Sequence, residues 1–324
     1  MRTHRRQVLG LGLSFTAAAA LPSVAWAQAF PSRPITLIAP SVPGGSTDVI
    51  CRTLAEAVGR RLGVQVLVEN KAGAGGVLGA MALANARPDG HLVSLLPLGV
   101  FRVALMQDTP FDPLRDIVYV AGLGGYTFGL AVPASAPYRT LAELLAHARQ
   151  NPGAVTYGHA GVGSTPHLAV EELAQKTGVS LTAIPYKGSN EALTALLGGQ
   201  VSMMSGTTEF VPHVRAGKLR VLATLGGTRS PAFPDVPTLR ESGVDIVNES
   251  PFGIGAPRGT DPAVVKTLHD AFRAALDEPA VREAFARFHL PVLPMTSAEY
   301  EAFARRTVQA ERATLARLNL LKKP

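Results

Sequence analysis

Residues 35–62 read ITLIAPSVPGGSTDVICRTLAEAVGRRL: an apolar run, a Pro-Gly-Gly turn, then a long amphipathic segment. Ile35, Leu37, Ile38 and Ala39 form a short strand-leaning run that Pro40 and Pro43 stop. Gly44 and Gly45 free the backbone for a tight turn, and Ser46 and Thr47 are good helix caps. Asp48 falls in the first helical turn, where a carboxylate complements the helix dipole. Ile50, Leu54, Ala57, Val58 and Leu62 then recur at three- and four-residue spacing, with Arg52, Glu56, Arg60 and Arg61 on other faces. The stretch predicts strand, loop and helix. Backbone N–H groups at such a helix start lack partners and suit a phosphate or carboxylate. The alternative is a plain connection in which Ser46 merely caps.

Upstream, Arg2, Arg5 and Arg6 precede an apolar run over residues 8–20, and Ala25-Trp26-Ala27 supplies a cleavage site. Residues 1–27 therefore read as an export signal, twin-arginine-like at HRRQVL (4–9), with Sec export as the alternative. Its removal near Gln28 takes away three arginines and no acid, lowering the formal charge from +7 to +4. That charge is too mild for a nucleic-acid surface, so no nucleic-acid partner is expected. Cys51 is the only cysteine, which excludes an internal disulfide; on the first helix it reads as a small core residue.

The mature length exceeds the usual single domain, and low aromatic content with abundant small and aliphatic residues suits an α/β chain of two lobes. Strands are expected over 64–68, 91–96, 117–123 and 127–132, the last two separated by Gly124-Gly125. Helices are expected from the glycine-rich turn at 73–76 to about 86, and over 98–106. The glycines at 73, 75 and 79 are spaced G-x-G-x-x-x-G and no strand ending in an acid follows, which argues against a dinucleotide fingerprint.

A second strand, glycine loop and helix follows at 155–176. Gly158, Gly161 and Gly163 precede the capping candidates Ser164 and Thr165, with Pro166 early in the helix. The α/β alternation continues with strands over 181–184, 201–204 and 219–225 and helices over 190–197 and 209–216. A return strand is expected over 244–251, then three helices over 263–276, 281–288 and 298–319.

Catalytic constellations are sparse. The eight histidines make no zinc spacing, and Ser164 and His167 stand three apart without a G-x-S-x-G elbow, so a hydrolase is the weaker reading. Lys187 reads as a surface loop lysine, not a Schiff-base lysine. No cofactor or metal is expected. Two glycine loops at helix starts, one in each half, would converge N–H groups and hydroxyls on a small carboxylate.

Seven stretches occur in order: PGGSTD (43–48), VENK with GAGG (68–71 and 73–76), PDG (88–90), PYKGS (185–189), LGGQV (197–201), AGKLR (216–220) and PDVPT (234–238). Together they closely resemble the Bug-type extracytoplasmic solute receptors of tripartite tricarboxylate transporters, across essentially the whole mature chain. The resemblance implies a type II periplasmic binding protein: two α/β lobes joined by crossing hinge strands, closing like a flytrap on a carboxylate. Lobe 1 would be residues 28–129 and 250–324, and lobe 2 residues 130–249. It further implies a non-enzymatic, monomeric periplasmic receptor that meets membrane transporter subunits transiently; a sensor with a signalling partner is the alternative. The ligand loops implied are Pro43, Gly44, Gly45, Thr47 and Asp48 on one side and Gly161, Gly163, Ser164, Thr165 and His167 on the other. Asp48 would orient amides or water, since like charges repel.

The chain departs from the family pattern at the site's distal positions. Ser41 stands where an aromatic residue is usual, Gly99 and Val100 fall in an apolar segment instead of a polar loop, and the strand that ends through Ser205 and Gly206 lacks the acid common after Gly-Gly-Gln-Val (198–201). A monocarboxylate with an apolar or aromatic body is the resulting expectation, with Phe101, Tyr126 or Phe252 nearby. An inward Arg102 would favour a dicarboxylate instead.

Overall fold

The structure, a computed structural model, describes residues 30–322. The export-signal reading, on residues 1–27, lies outside the described residues.

The opening stretch folds as β1 (Ile35–Ala39) and α1 (Ser46–Leu62). The apolar stripe of α1 buries Ile50, Cys51, Leu54, Ala57 and Val58, each within 1% of full burial. Each large aliphatic side chain so buried contributes about 2 kcal/mol. Gly63 ends the helix in the left-handed region and donates its N–H to the Gly59 carbonyl. There follow β2 (Val66–Asn70), α2 (Val77–Ala84), β3 (Leu92–Leu96), α3 (Gly99–Met106), β4 (Ile117–Tyr126) and β5 (Gly129–Pro133). The middle of the chain forms α4 (Leu141–Gln150), β6 (Thr156–His159), α5 (Thr165–Thr177), β7 (Thr182–Pro185) and α6 (Ser189–Leu197). It continues through β8 (Met203–Gly206), α7 (Val211–Arg215) and β9 (Leu219–Thr224). The last elements are β10 (Ser250–Pro257), α8 (Pro262–Ala275), α9 (Pro279–Arg287), β11 (Val292–Met295) and α10 (Ser297–Arg317).

The strands make two mixed sheets, ordered β11-β4-β10-β3-β1-β2 and β7-β6-β8-β5-β9. β1 runs parallel to β2 and β3, and β6 parallel to β7 and β8, as strand-helix-strand units require. β10 is antiparallel to both β3 and β4 and joins the C-terminal segment to the first sheet. The chain leaves the first sheet between Tyr126 and Gly129 and returns at Ser250. Each sheet has its own apolar core, one gathering α1, α8 and α9, the other α4 and α5.

Three expectations are corrected. β4 runs straight through Gly124-Gly125, because Phe285 and Phe252 occupy the space a Cβ at Gly124 would need, 2.4 and 3.1 Å away. The return strand is residues 250–257, not 244–251. Val244 and Ile246 are buried without joining a sheet, since they pack on the second core. The helix expected over 209–216 is a 3-10 turn, Thr208–Phe210, followed by α7 with Pro212 in its first turn. The edge strand β11, short and interrupted by Pro294, carried no sequence signal strong enough to be read.

Candidate functional site

A cavity of about 190 Å³ lies where the loops of the two sheets face each other. On one side stand Ser41, Gly45, Ser46 and Thr47 at the start of α1, with Pro97, Leu98 and Gly99 at the start of α3. Ser164, Thr165 and Pro166 at the start of α5 stand opposite, with Lys187–Glu191 and Glu209 beside them. A second opening, lined by Gly161, Val162, Met106 and Tyr186, shares Gly73, Gly75, Ala160, Lys187 and Glu191 with it.

The first loop is built by Asp48. Gly44, held at φ +81°, donates its N–H to Asp48 Oδ2 at 2.9 Å. Asn70 donates both to Asp48 Oδ1 at 2.7 Å and to the Ser41 carbonyl at 3.1 Å, tying the loop to the end of β2. Burial of Asp48 opposes its ionisation, yet the bonds from Arg52, Gly44 and Asn70 together hold its carboxyl below the usual range. The carboxylate is thus spent on the loop. The N–H groups of Ser46, Thr47 and Asp48 find no acceptor among the described residues, as expected of a first helical turn.

The second loop rests on two buried histidines. The rings of His159 and His167 lie 4.5 Å apart. His159 Nδ1 is 3.0 Å from the Gly161 carbonyl, and Gly163 N–H donates to His167 Nδ1 at 3.3 Å. Burial pulls both imidazoles down to about 4, with His167 adding to the effect on His159 and Arg102 adding to it on His167. Ser164 caps α5 by accepting from the His167 N–H. Its hydroxyl and the His167 imidazole share no hydrogen bond among the described residues, so the nucleophile-base pairing weighed from sequence does not form.

Hydroxyls complete the wall. Thr47 Oγ1 lies 2.8 Å from the Tyr126 hydroxyl, and the Tyr126 ring packs on Phe252 at 4.8 Å between centroids. Burial raises the Tyr126 pKa, so it stays a protonated donor. Ser46 donates to Glu209 Oε1 at 3.1 Å, and Thr207 donates to Glu209 Oε2. Burial pushes the Glu209 carboxyl above its usual range.

Of the positions expected from sequence, Ser41, Gly45, Thr47, Gly99, Ser164 and Thr165 line the cavity, and Gly161 lines the adjoining opening. Pro43, Gly44, Asp48, Gly163 and His167 do not: they shape the loops from behind. Val100 turns into the first lobe's apolar packing as α3 winds away from the cavity, and Ser205 and Gly206 lie inside the second sheet. Phe101 and Phe252 are core residues, while Tyr126 does line the cavity. Arg102 does not point in. It pairs with Glu311 and donates to Thr165 Oγ1 at 2.7 Å, and Thr165 in turn donates to Ser250 Oγ at 3.4 Å. Sequence reading missed Ser46, Thr207 and Glu209. The acid usual after Gly-Gly-Gln-Val (198–201) is absent, and Glu209, in the 3-10 turn after β8, carries no sequence signal that singles it out.

Among the described residues no cluster of three His, Cys, Asp or Glu side chains could hold a metal ion, and no helix is long and apolar enough to cross a membrane.

A family model described as the tripartite tricarboxylate transporter family receptor matches residues 50–320. Protein BugT of Bordetella pertussis is 39% identical over 290 residues, covering 88% of each chain. MatC from Rhodopseudomonas palustris, solved with bound malate, superposes with a TM-score of 0.82 at 30% identity, covering 88% of this chain and 100% of its own. An R. palustris protein solved with adipate gives a TM-score of 0.83 at 28% identity, covering 90% and 98%.

Proposed function

This chain belongs to the tripartite tricarboxylate transporter receptor family, and from its site we propose that it captures a small organic carboxylate between two lobes and hands it to the transporter's membrane subunits. The lobes are residues 28–129 with 250–324, and residues 130–249. The protein is a periplasmic monomer, exported by the signal on residues 1–27, and binds without catalysing a reaction.

The observation that carries this reading is the meeting of two helix N-termini, α1 and α5, at one cavity. Unpaired N–H groups and the positive ends of both dipoles favour an anion there, and the hydroxyls of Thr47 and Ser164 add donors.

The ligand has an apolar or aromatic body and carries no second carboxylate. Pro40, Pro97, Leu98, Phe128 and the Tyr126 ring supply an apolar wall. The lining holds one cation, Lys187, against Glu191 and Glu209, and the Arg102 charge is taken up by Glu311. Malate and adipate, bound in two similar proteins, each carry two carboxylates, whereas this lining offers no arginine for a second one.

Calorimetric titration of the mature protein with a matched benzoate and succinate series tests the reading. Affinity for the aromatic monoacids, reduced about tenfold in Ser164→Ala, is the expected result. A clear preference for diacids would overturn the apolar assignment, and no binding of any acid would overturn the receptor assignment.

A further inference from the structure

Glu209 stands in the wall of a cavity that the preceding reading gives to an anion. It comes from the 3-10 turn after β8, on the second sheet's side, and reaches Ser46 at the start of α1. Among the described residues no ion pair includes it. Ser46 and Thr207 donate to one oxygen each and the residue's own backbone N–H also bonds the carboxyl, which leaves only its cavity-facing acceptor capacity open. Glu209 is half-buried in the cavity wall, and a ligand that covers it displaces water at a cost unless that ligand supplies a donor.

The position of that donor follows from Ser46. Its N–H belongs to the unpaired first turn of α1, and its own hydroxyl holds Glu209. A ligand carboxylate seated on the Ser46 and Thr47 N–H groups therefore brings the substituent on its adjacent carbon alongside Glu209.

We propose that Glu209 selects a carboxylic acid bearing a hydrogen-bond donor, hydroxyl or ammonium, on the carbon next to the carboxylate. This rests on the carboxylate reading above. An unsubstituted acid leaves Glu209 without its partner, and a second acidic group in that place meets like charge. A site built to bond a donor discriminates against the analogue lacking it, because the acceptor face the ligand covers then loses water without gaining a bond. The same carboxyl that would repel a poorly placed anion thus becomes the reader of the ligand's second polar group. The elevated affinity of Glu209 for protons, which burial causes, is consistent with a carboxyl awaiting a donor.

Calorimetry with 3-phenylpropanoate, 3-phenyllactate and phenylalanine, on the wild type and on Glu209→Gln, tests this. The wild type is expected to bind at least one substituted acid about tenfold more tightly than the unsubstituted one. Preference for phenyllactate identifies a hydroxyl and preference for phenylalanine an ammonium. In Glu209→Gln the ammonium preference is expected to vanish and the hydroxyl preference to shrink several-fold. Equal wild-type affinity for all three acids overturns the proposal without any variant being needed, and so does a preference unchanged by Glu209→Gln. Those outcomes leave the receptor reading standing, whereas failure of all carboxylates to bind removes both.

Discussion

The Arg102 guanidinium grips both carboxylate oxygens of Glu311, Nε to Oε2 and Nη2 to Oε1, each at 2.7 Å. Arg102 is 2% exposed, and its remaining Nη1 reaches Thr165 on the far side of the cleft. One buried side chain thereby joins α3, α10 and the start of α5. Removing the arginine alone strands a largely buried carboxylate, so Arg102→Met is expected to cost about 3–5 kcal/mol. The double variant Arg102→Met with Glu311→Met should recover much of that loss. Chemical denaturation of the three proteins checks both statements.

The adjacent buried pair His159 and His167 makes stability depend on pH. Both imidazoles are held near 4 in the fold, below their unfolded value of about 6.5, so the unfolded chain binds more protons between those limits. Stability is therefore intact above pH 6.5 and falls progressively as pH drops toward 4, by about 3 kcal/mol for each histidine. His167→Gln should flatten the slope in that window. Thermal melts between pH 8 and pH 4 provide the measurement.

Cys51 is fully buried on α1, and burial raises its thiol pKa far out of the reactive range. A thiol reagent at neutral pH is expected to leave the folded protein unmodified and to label one site in denaturant. Cys51→Ser should destabilise by about 1–3 kcal/mol, because the hydroxyl enters an apolar layer of Leu54, Ile50 and their neighbours without a partner.

The Thr47–Tyr126 hydroxyl pair joins the start of α1 to the end of β4 at 2.8 Å. Thr47→Val removes a donor from the cavity and leaves the Tyr126 hydroxyl unpaired. Carboxylate affinity is expected to fall about tenfold, with about 1 kcal/mol lost in stability. Tyr126→Phe should cost similar stability and less affinity, since the Thr47 hydroxyl survives. Titration and denaturation of both variants separate the two effects.

Much of the fold was legible in residues 35–62 and 155–176, because what they encode is local. Apolar spacing, glycine turns and capping residues act within a few positions, and both segments fold as strand, loop and helix as the spacing predicts. The errors fall where a distant partner overrules the local pattern. Gly124 sits within a strand because two phenylalanine rings need its missing side chain. Residues 244–249 look like a strand because the second core buries some of them.

The site divides in the same way. The chain's own pattern determined that two glycine loops begin helices, and with them the kind of ligand such helix starts suit. The tertiary structure decided which side chains reach the cavity. Asp48 is drawn back by Asn70, Arg102 is claimed by Glu311 across 209 positions, and Glu209 is carried to Ser46 across 163. A charged side chain goes to whatever partner offsets its desolvation, and that partner is found only once the chain has folded.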